Sequence, residues 1–145
     1  MKIAIGCDHA AYEMKAHVKG VLEKRGAEVI DFGTDGPASV DYPDFAAKVS
    51  EAVTSGKADR GILICGTGLG MSMAANKFKG IRAALCSEPL SARMSRLHND
   101  ANVLCMGARV IGPAMAEEIV GVWLDTGFDG GRHLIRIEKF MKLEG

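Results

Sequence analysis

The run Gly61-Ile62-Leu63-Ile64-Cys65 is apolar throughout. A strand with one wet face alternates polar and apolar residues, so an unbroken run of this kind reads as a strand buried on both faces. It belongs at the centre of a sheet with helices packed on either side. The rest of the chain supplies what such a sheet needs. Lys2 to Gly6, Ala27 to Asp31, Ile81 to Cys86 and Val103 to Met106 are further short runs of strand type. Between them, Tyr12 to Arg25 carries Met14, Val18, Val21 and Leu22 at helical spacing and stops at Gly26. Asp41-Tyr42-Pro43 opens a second helix, which Gly56 closes. Leu69 to Lys77, a segment from Ser87 and Pro89 towards Asn99, Pro113 to Asp125, and Arg132 to Leu143 complete the helices.

Five β-α units in series predict an α/β fold: a three-layer α/β/α, Rossmann-like sandwich with a five-stranded parallel sheet and an extra C-terminal helix. Residues 1–145 are expected to form a single domain. In open parallel sheets, ligands bind beyond the carboxyl ends of the strands. That rule directs attention to Cys7-Asp8-His9, Phe32-Gly33-Thr34, Cys65 to Gly70, Cys86 to Glu88, and Gly107 to Arg109.

Charge and cysteine usage narrow the function. Lys plus Arg number 18 and Asp plus Glu number 18, so there is no basic field of the kind nucleic acid binding requires. Any anion must be met by a local cluster of cations. The four cysteines, Cys7, Cys65, Cys86 and Cys105, form no C-x-x-C pair, which argues against a zinc knuckle or a thioredoxin-type site. Unpaired thiols fit a reducing, cytoplasmic setting. The apolar run from Ile3 to Gly6 is too short for a signal peptide, and nothing approaches a membrane span.

Cys65-Gly66-Thr67-Gly68-Leu69-Gly70 is the sharpest chemical signal. A cysteine at the end of a buried strand, followed by glycines and a helix start, meets backbone N–H groups that favour negative charge. The bland alternative is a small buried residue and a tight turn. The dinucleotide pattern G-x-G-x-x-G fails at Met71, although Glu88 stands at a suitable distance. Gly70-Met71-Ser72 excludes a P-loop. Asp8-His9 could hold sugar hydroxyls and phosphate, or could be a helix cap and an exposed imidazole. His98 ends the fourth helix, where a histidine is also at home for reasons of the helix dipole. Arg132 and Arg136 share a helix face and, with Arg109, could clamp a phosphate; otherwise they line a solvated face near Glu138. His17 is expected to be solvated, and Cys7, Cys86 and Cys105 to be packing residues.

Together these residues resemble the type B ribose-5-phosphate isomerases, in the group that includes galactose- and allose-6-phosphate isomerases. The resemblance runs through Gly6 to Ala10, Val40 to Asp44, Gly61 to Gly68, Ala74 to Lys77, Gly80 to Ala84, Ser91 to Arg93, His98 to Asn102 and Gly130 to His133. It implies a metal-independent, cofactor-free aldose–ketose isomerisation of ribose 5-phosphate. Cys65 would be the base, Thr67 would assist proton movement and His98 would open the furanose ring. Gly66, Thr67, Gly68, Leu69 and Gly70 would hold the enediolate, Asp8, His9 and Asn99 would contact the sugar, and Arg109, Arg132 and Arg136 would hold phosphate. It also implies a homodimer, or a dimer of dimers, with sites shared between subunits. The narrow stripe of Leu134, Ile137 and Met141, with Phe140 beside it, would ordinarily pack on its own domain; the resemblance implies instead an exchanged or docked helix. Within the family the rivals are hexose 6-phosphates as substrates; outside it, the rival is a phosphosugar-binding protein without catalysis.

Overall fold

The computed structural model describes residues 1–145. In chain order the elements are β1 (Lys2–Cys7), α1 (Tyr12–Lys24), β2 (Glu28–Asp31), α2 (Tyr42–Thr54), β3 (Arg60–Cys65) and α3 (Leu69–Ala75). Then come β4 (Ala83–Leu85), α4 (Pro89–Leu97), β5 (Val103–Gly107), α5 (Pro113–Asp125) and α6 (Arg132–Met141), which ends in a short 3-10 turn (Lys142–Glu144). All strand pairs are parallel, in the order β2-β1-β3-β5-β4. β3 is central, as its apolar run requires.

Side chains on successive strand residues point to opposite faces, and β3 supplies both cores. Ile62 and Ile64 join Ile3, Ile5, Leu104, Met106 and Trp123 under α1, α4 and α5. Leu63 and Cys65 join Ala4, Val103, Val49 and Met71 under α2 and α3. No helix is long and apolar enough to cross a membrane.

Most boundaries lie within a residue or two of the sequence reading, and three of the differences have a visible local cause. β4 is shorter than Ile81 to Cys86, because polar side chains take over the pairing before it. Asn102 Oδ1 accepts from Arg82 N–H at 2.7 Å, and the Asn76 amide brackets Ala83 at 2.8 and 3.0 Å. α3 ends before Lys77, where Lys77 N–H bonds back to Ala74 in a tighter turn. α4 is capped by Glu88 and not by Ser87: the Glu88 carboxylate accepts from Ser91 N–H at 3.0 Å, and the Ser91 side chain first, then this N–H, hold its pKa below the usual value.

The inner face of α1 holds a surprise that apolar periodicity does not flag. Lys15 is buried beside Met14, Val18 and Leu22, and its ammonium donates to Asp31 at 2.8 Å and to Asp35. Burial opposes its charge, but the two carboxylates outweigh burial and raise its pKa; the same bonds outweigh burial at Asp31 and lower its pKa. A depressed Asp31 adds stability above its ordinary pKa that is lost as pH falls through the folded value. A raised Lys15 adds stability below its ordinary pKa that is lost as pH rises through the folded value. Lys15→Met should leave the half-buried Asp31 with only the Lys19 ammonium at 3.4 Å and the Gly33 N–H, and cost about 2 kcal/mol in urea unfolding, with a weaker dependence on acid pH than the parent. An unchanged midpoint would show that the pair contributes nothing. His17, expected in solvent, is half-buried between α1 and α5, with Nε2 3.7 Å from Glu117.

Candidate active site

The carboxyl ends of β1, β3 and β5 meet around Cys65. Asp8 N–H donates to Ile64 O, Ala108 N–H to Cys65 O and Arg109 N–H to Gly66 O, so all three strand ends are stitched together. The loop between Cys65 and α3 fits only because of its glycines. Gly68 has φ of +80°, and a Cβ there would meet the Met106 backbone at 2.9 Å. A Cβ on Gly107 would lie 2.6 Å from the Thr67 backbone. Strand β5 and the loop are therefore in backbone contact.

That close turn aims the Gly68 N–H at the Cys65 sulfur, 3.1 Å away. The other cysteines differ in kind. Cys7 Sγ donates to Thr34 O and Cys86 Sγ to Ala84 O, and burial pushes their thiols up to about 12 and about 11; burial raises Cys105 as well. Cys65 alone among the four has a sulfur that accepts a backbone N–H, the arrangement that accommodates negative charge on sulfur. Thr67 Oγ1 accepts from Leu69 N–H at 3.3 Å and lies exposed beside it.

Asp8 is buried, and its carboxylate accepts from Ala10 N–H at 3.0 Å in the turn that precedes α1; the helix cap weighed for it is not formed, since Ala11 stands at the N-cap of α1 with no side-chain cap bond. His9 Nδ1 accepts from Val40 N–H at 3.2 Å. An accepting Nδ1 requires the tautomer with its proton on Nε2, which leaves Nε2–H as a donor for a ligand oxygen. The Arg109 side chain lies over Gly66, and no carboxylate pairs with it.

His98, Asn99, Arg132 and Arg136 do not join this group. Helices run back against the strands, so the end of α4 lies at the opposite edge of the sheet. There Gly61 N–H, at the start of β3, donates to Asn102 O, just beyond His98 and Asn99. The six-residue strand β3 spans roughly 17 Å between the two edges. α6 begins at the same far edge, where Asp129 N–H donates to Leu97 O at 3.1 Å. The His98 and His133 rings stack there with centroids 4.2 Å apart. Burial, then the charges of His98, Arg132 and Arg136, lower the pKa of His133. Arg132 and Arg136 are exposed and unpaired. The phosphate clamp expected to unite them with Arg109 is therefore not formed within one chain. A cavity of about 430 Å³ between β4 and the end of α6 reaches Asn99 and Arg82 but not Cys65.

A family model described as Ribose/Galactose Isomerase matches residues 3–140. The chain belongs to the Ribose/Galactose Isomerase family. It is 52% identical to "Ribose-5-phosphate isomerase B" of Escherichia coli (strain K12), over 99% of this chain and 96% of that protein. It is 46% identical to "D-erythrulose-4-phosphate isomerase" of Pectobacterium atrosepticum, over 96% of this chain and 92% of that one. The solved structure of Clostridium thermocellum ribose-5-phosphate isomerase B superposes with a TM-score of 0.98 at 59% identity, covering 99% and 97% of the two chains.

Sequence reasoning passed over two residues that border these edges in this member of the Ribose/Galactose Isomerase family. The Tyr42 ring lies where a Cβ on Gly70 would point, so it walls the Cys65 loop. A glycine inside a helix is the signal that something bulky approaches it. His133 follows the double glycine Gly130-Gly131, and only the chain's return to α4 brings it onto His98.

Proposed function

We propose that the chain interconverts D-ribose 5-phosphate and D-ribulose 5-phosphate, in sites assembled from the Cys65 edge of one copy and the His98 edge of another. The observation that carries the chemistry is the Gly68 N–H directed at the Cys65 sulfur. His98 moves a proton from the anomeric hydroxyl to the ring oxygen and opens the furanose to the aldehyde. The Cys65 thiolate then takes the proton from C2, and the electron pair passes through C1 to its oxygen. Amides in the first turn of α3, which have no acceptor within a helix, face the charge that forms there. Thr67 carries the hydroxyl proton from O2 to O1, and the Cys65 thiol returns its proton to C1. The sum is a shift of hydrogen within one molecule, so its stoichiometry calls for no redox cofactor, and turnover is expected to survive EDTA.

Arg132 and Arg136 from the second copy, with Arg109 and the Nε2–H of His9, hold the phosphate. Binding that unreactive group fixes C1 and C2 over the sulfur. The outward apolar residues of α6, Leu134, Ile135 and Phe140, suit the face that docks on that copy.

Cys65→Ala is expected to lower kcat on ribose 5-phosphate by on the order of a thousandfold, while calorimetry still detects phosphosugar binding. Full turnover in that variant would end the thiolate-base reading. Comparing kcat/KM on ribose 5-phosphate, allose 6-phosphate and galactose 6-phosphate decides the sugar; a hexose phosphate ahead of the pentose would reassign it.

A further inference from the structure

His98, Asp129 and His133 bring their donor atoms within 4.8 Å of one another at the far edge of the sheet. The neighbouring Asp100 is already taken by Arg96 and Arg82, whereas Asp129 pairs with no cation. Two imidazoles and one carboxylate suit zinc, nickel or copper; magnesium and calcium prefer oxygen alone.

We propose that His98, Asp129 and His133 bind one Zn²⁺ or a similar late first-row divalent ion, which reversibly inhibits the enzyme by occupying the ring-opening imidazole. The inhibitory half rests on the role given to His98 above; the binding half does not.

Binding requires a definite rearrangement. The two rings lie within 12° of parallel, so their lone pairs do not yet converge on a point. Zinc–nitrogen bonds of about 2.0–2.1 Å place tetrahedral ligand atoms roughly 3.3 Å apart, so the spread must close by about 1.5 Å. His133 is the ligand placed to move. It lies in the first turn of α6, separated only by Arg132 from Gly130 and Gly131, both at positive φ, so the ring rotation is assigned to this residue. Asp129 stays beside His98 through its N–H bond to Leu97 O. Three protein ligands leave the fourth position to water. Arg132 and Arg136 stand close and oppose a cation, so the affinity expected is micromolar, that of an inhibitory ion and not of a structural centre.

Titration calorimetry of Zn²⁺ into the chelator-stripped enzyme should show one ion per chain. Affinity should fall about tenfold or more in His133→Ala and in Asp129→Asn. Co²⁺ should give visible ligand-field bands without a thiolate charge-transfer band. The absence of saturable binding overturns the proposal. So does a thiolate band, or binding that is lost in Cys65→Ser yet intact in His133→Ala. Turnover of ribose 5-phosphate should fall over the concentrations that fill the site and recover with EDTA. Saturable binding at these ligands without inhibition overturns the blocking half and counts against His98 as the ring opener.

Discussion

Mixing inactive Cys65→Ala chains with inactive His98→Ala chains is expected to restore roughly a quarter of wild-type turnover. Each substitution disables every site in its own homodimer. In a mixed dimer, one site combines both altered residues and the other combines both intact ones. If chains pair at random, half of the dimers are mixed and each has one working site. The expectation follows from the sheet: Cys65 closes β3 at one edge, and His98 caps α4 at the other. Neither a rotamer change nor a loop shift spans a strand of roughly 17 Å. Co-expression removes any barrier to subunit exchange. If co-expressed chains stay inactive, the two residues do not act in one shared site, and the assignment of His98 fails with it.

The Cys65 edge was legible in the sequence because position carries it. A run apolar on both faces must be a central strand, the residue ending it must face the carboxyl edge, and glycines after it must turn tightly. Gly68 at positive φ against the Met106 backbone is what that reading demands. The far edge followed a different logic. His98 and Arg136 lie on helix surfaces, where periodicity separates buried from exposed but says nothing about which sheet edge an element's end reaches. Grouping Arg109 with Arg132 and Arg136 required them to converge, and the direction of the helices sends them apart. Lys15 was missed for a related reason: a charge on an apolar face looks like an error of pattern until its partners arrive, Asp31 from the end of β2 and Asp35 from the loop after it.

His98→Ala should separate ring opening from isomerisation by the choice of sugar. Ribose 5-phosphate closes its ring through O4, which must be protonated as the ring opens. In erythrose 4-phosphate, O4 is esterified, so no five-membered ring forms and the aldehyde is free from the start. Erythrose 4-phosphate keeps the aldehyde, the C2 hydroxyl and a terminal phosphate, so it offers Cys65 the same proton at C2. Loss of His98 is expected to lower kcat/KM on ribose 5-phosphate by about a hundredfold or more, the usual scale of a lost proton-transfer group. On erythrose 4-phosphate the change should stay within about threefold, because the step His98 serves does not occur. Cys65→Ala should suppress both substrates equally, since either sugar must lose the proton at C2. An equal loss on both sugars in His98→Ala would move His98 from ring opening to the enediolate step. That step takes place against the Cys65 sulfur, and the two sheet edges would then have to approach even more closely across the subunit boundary.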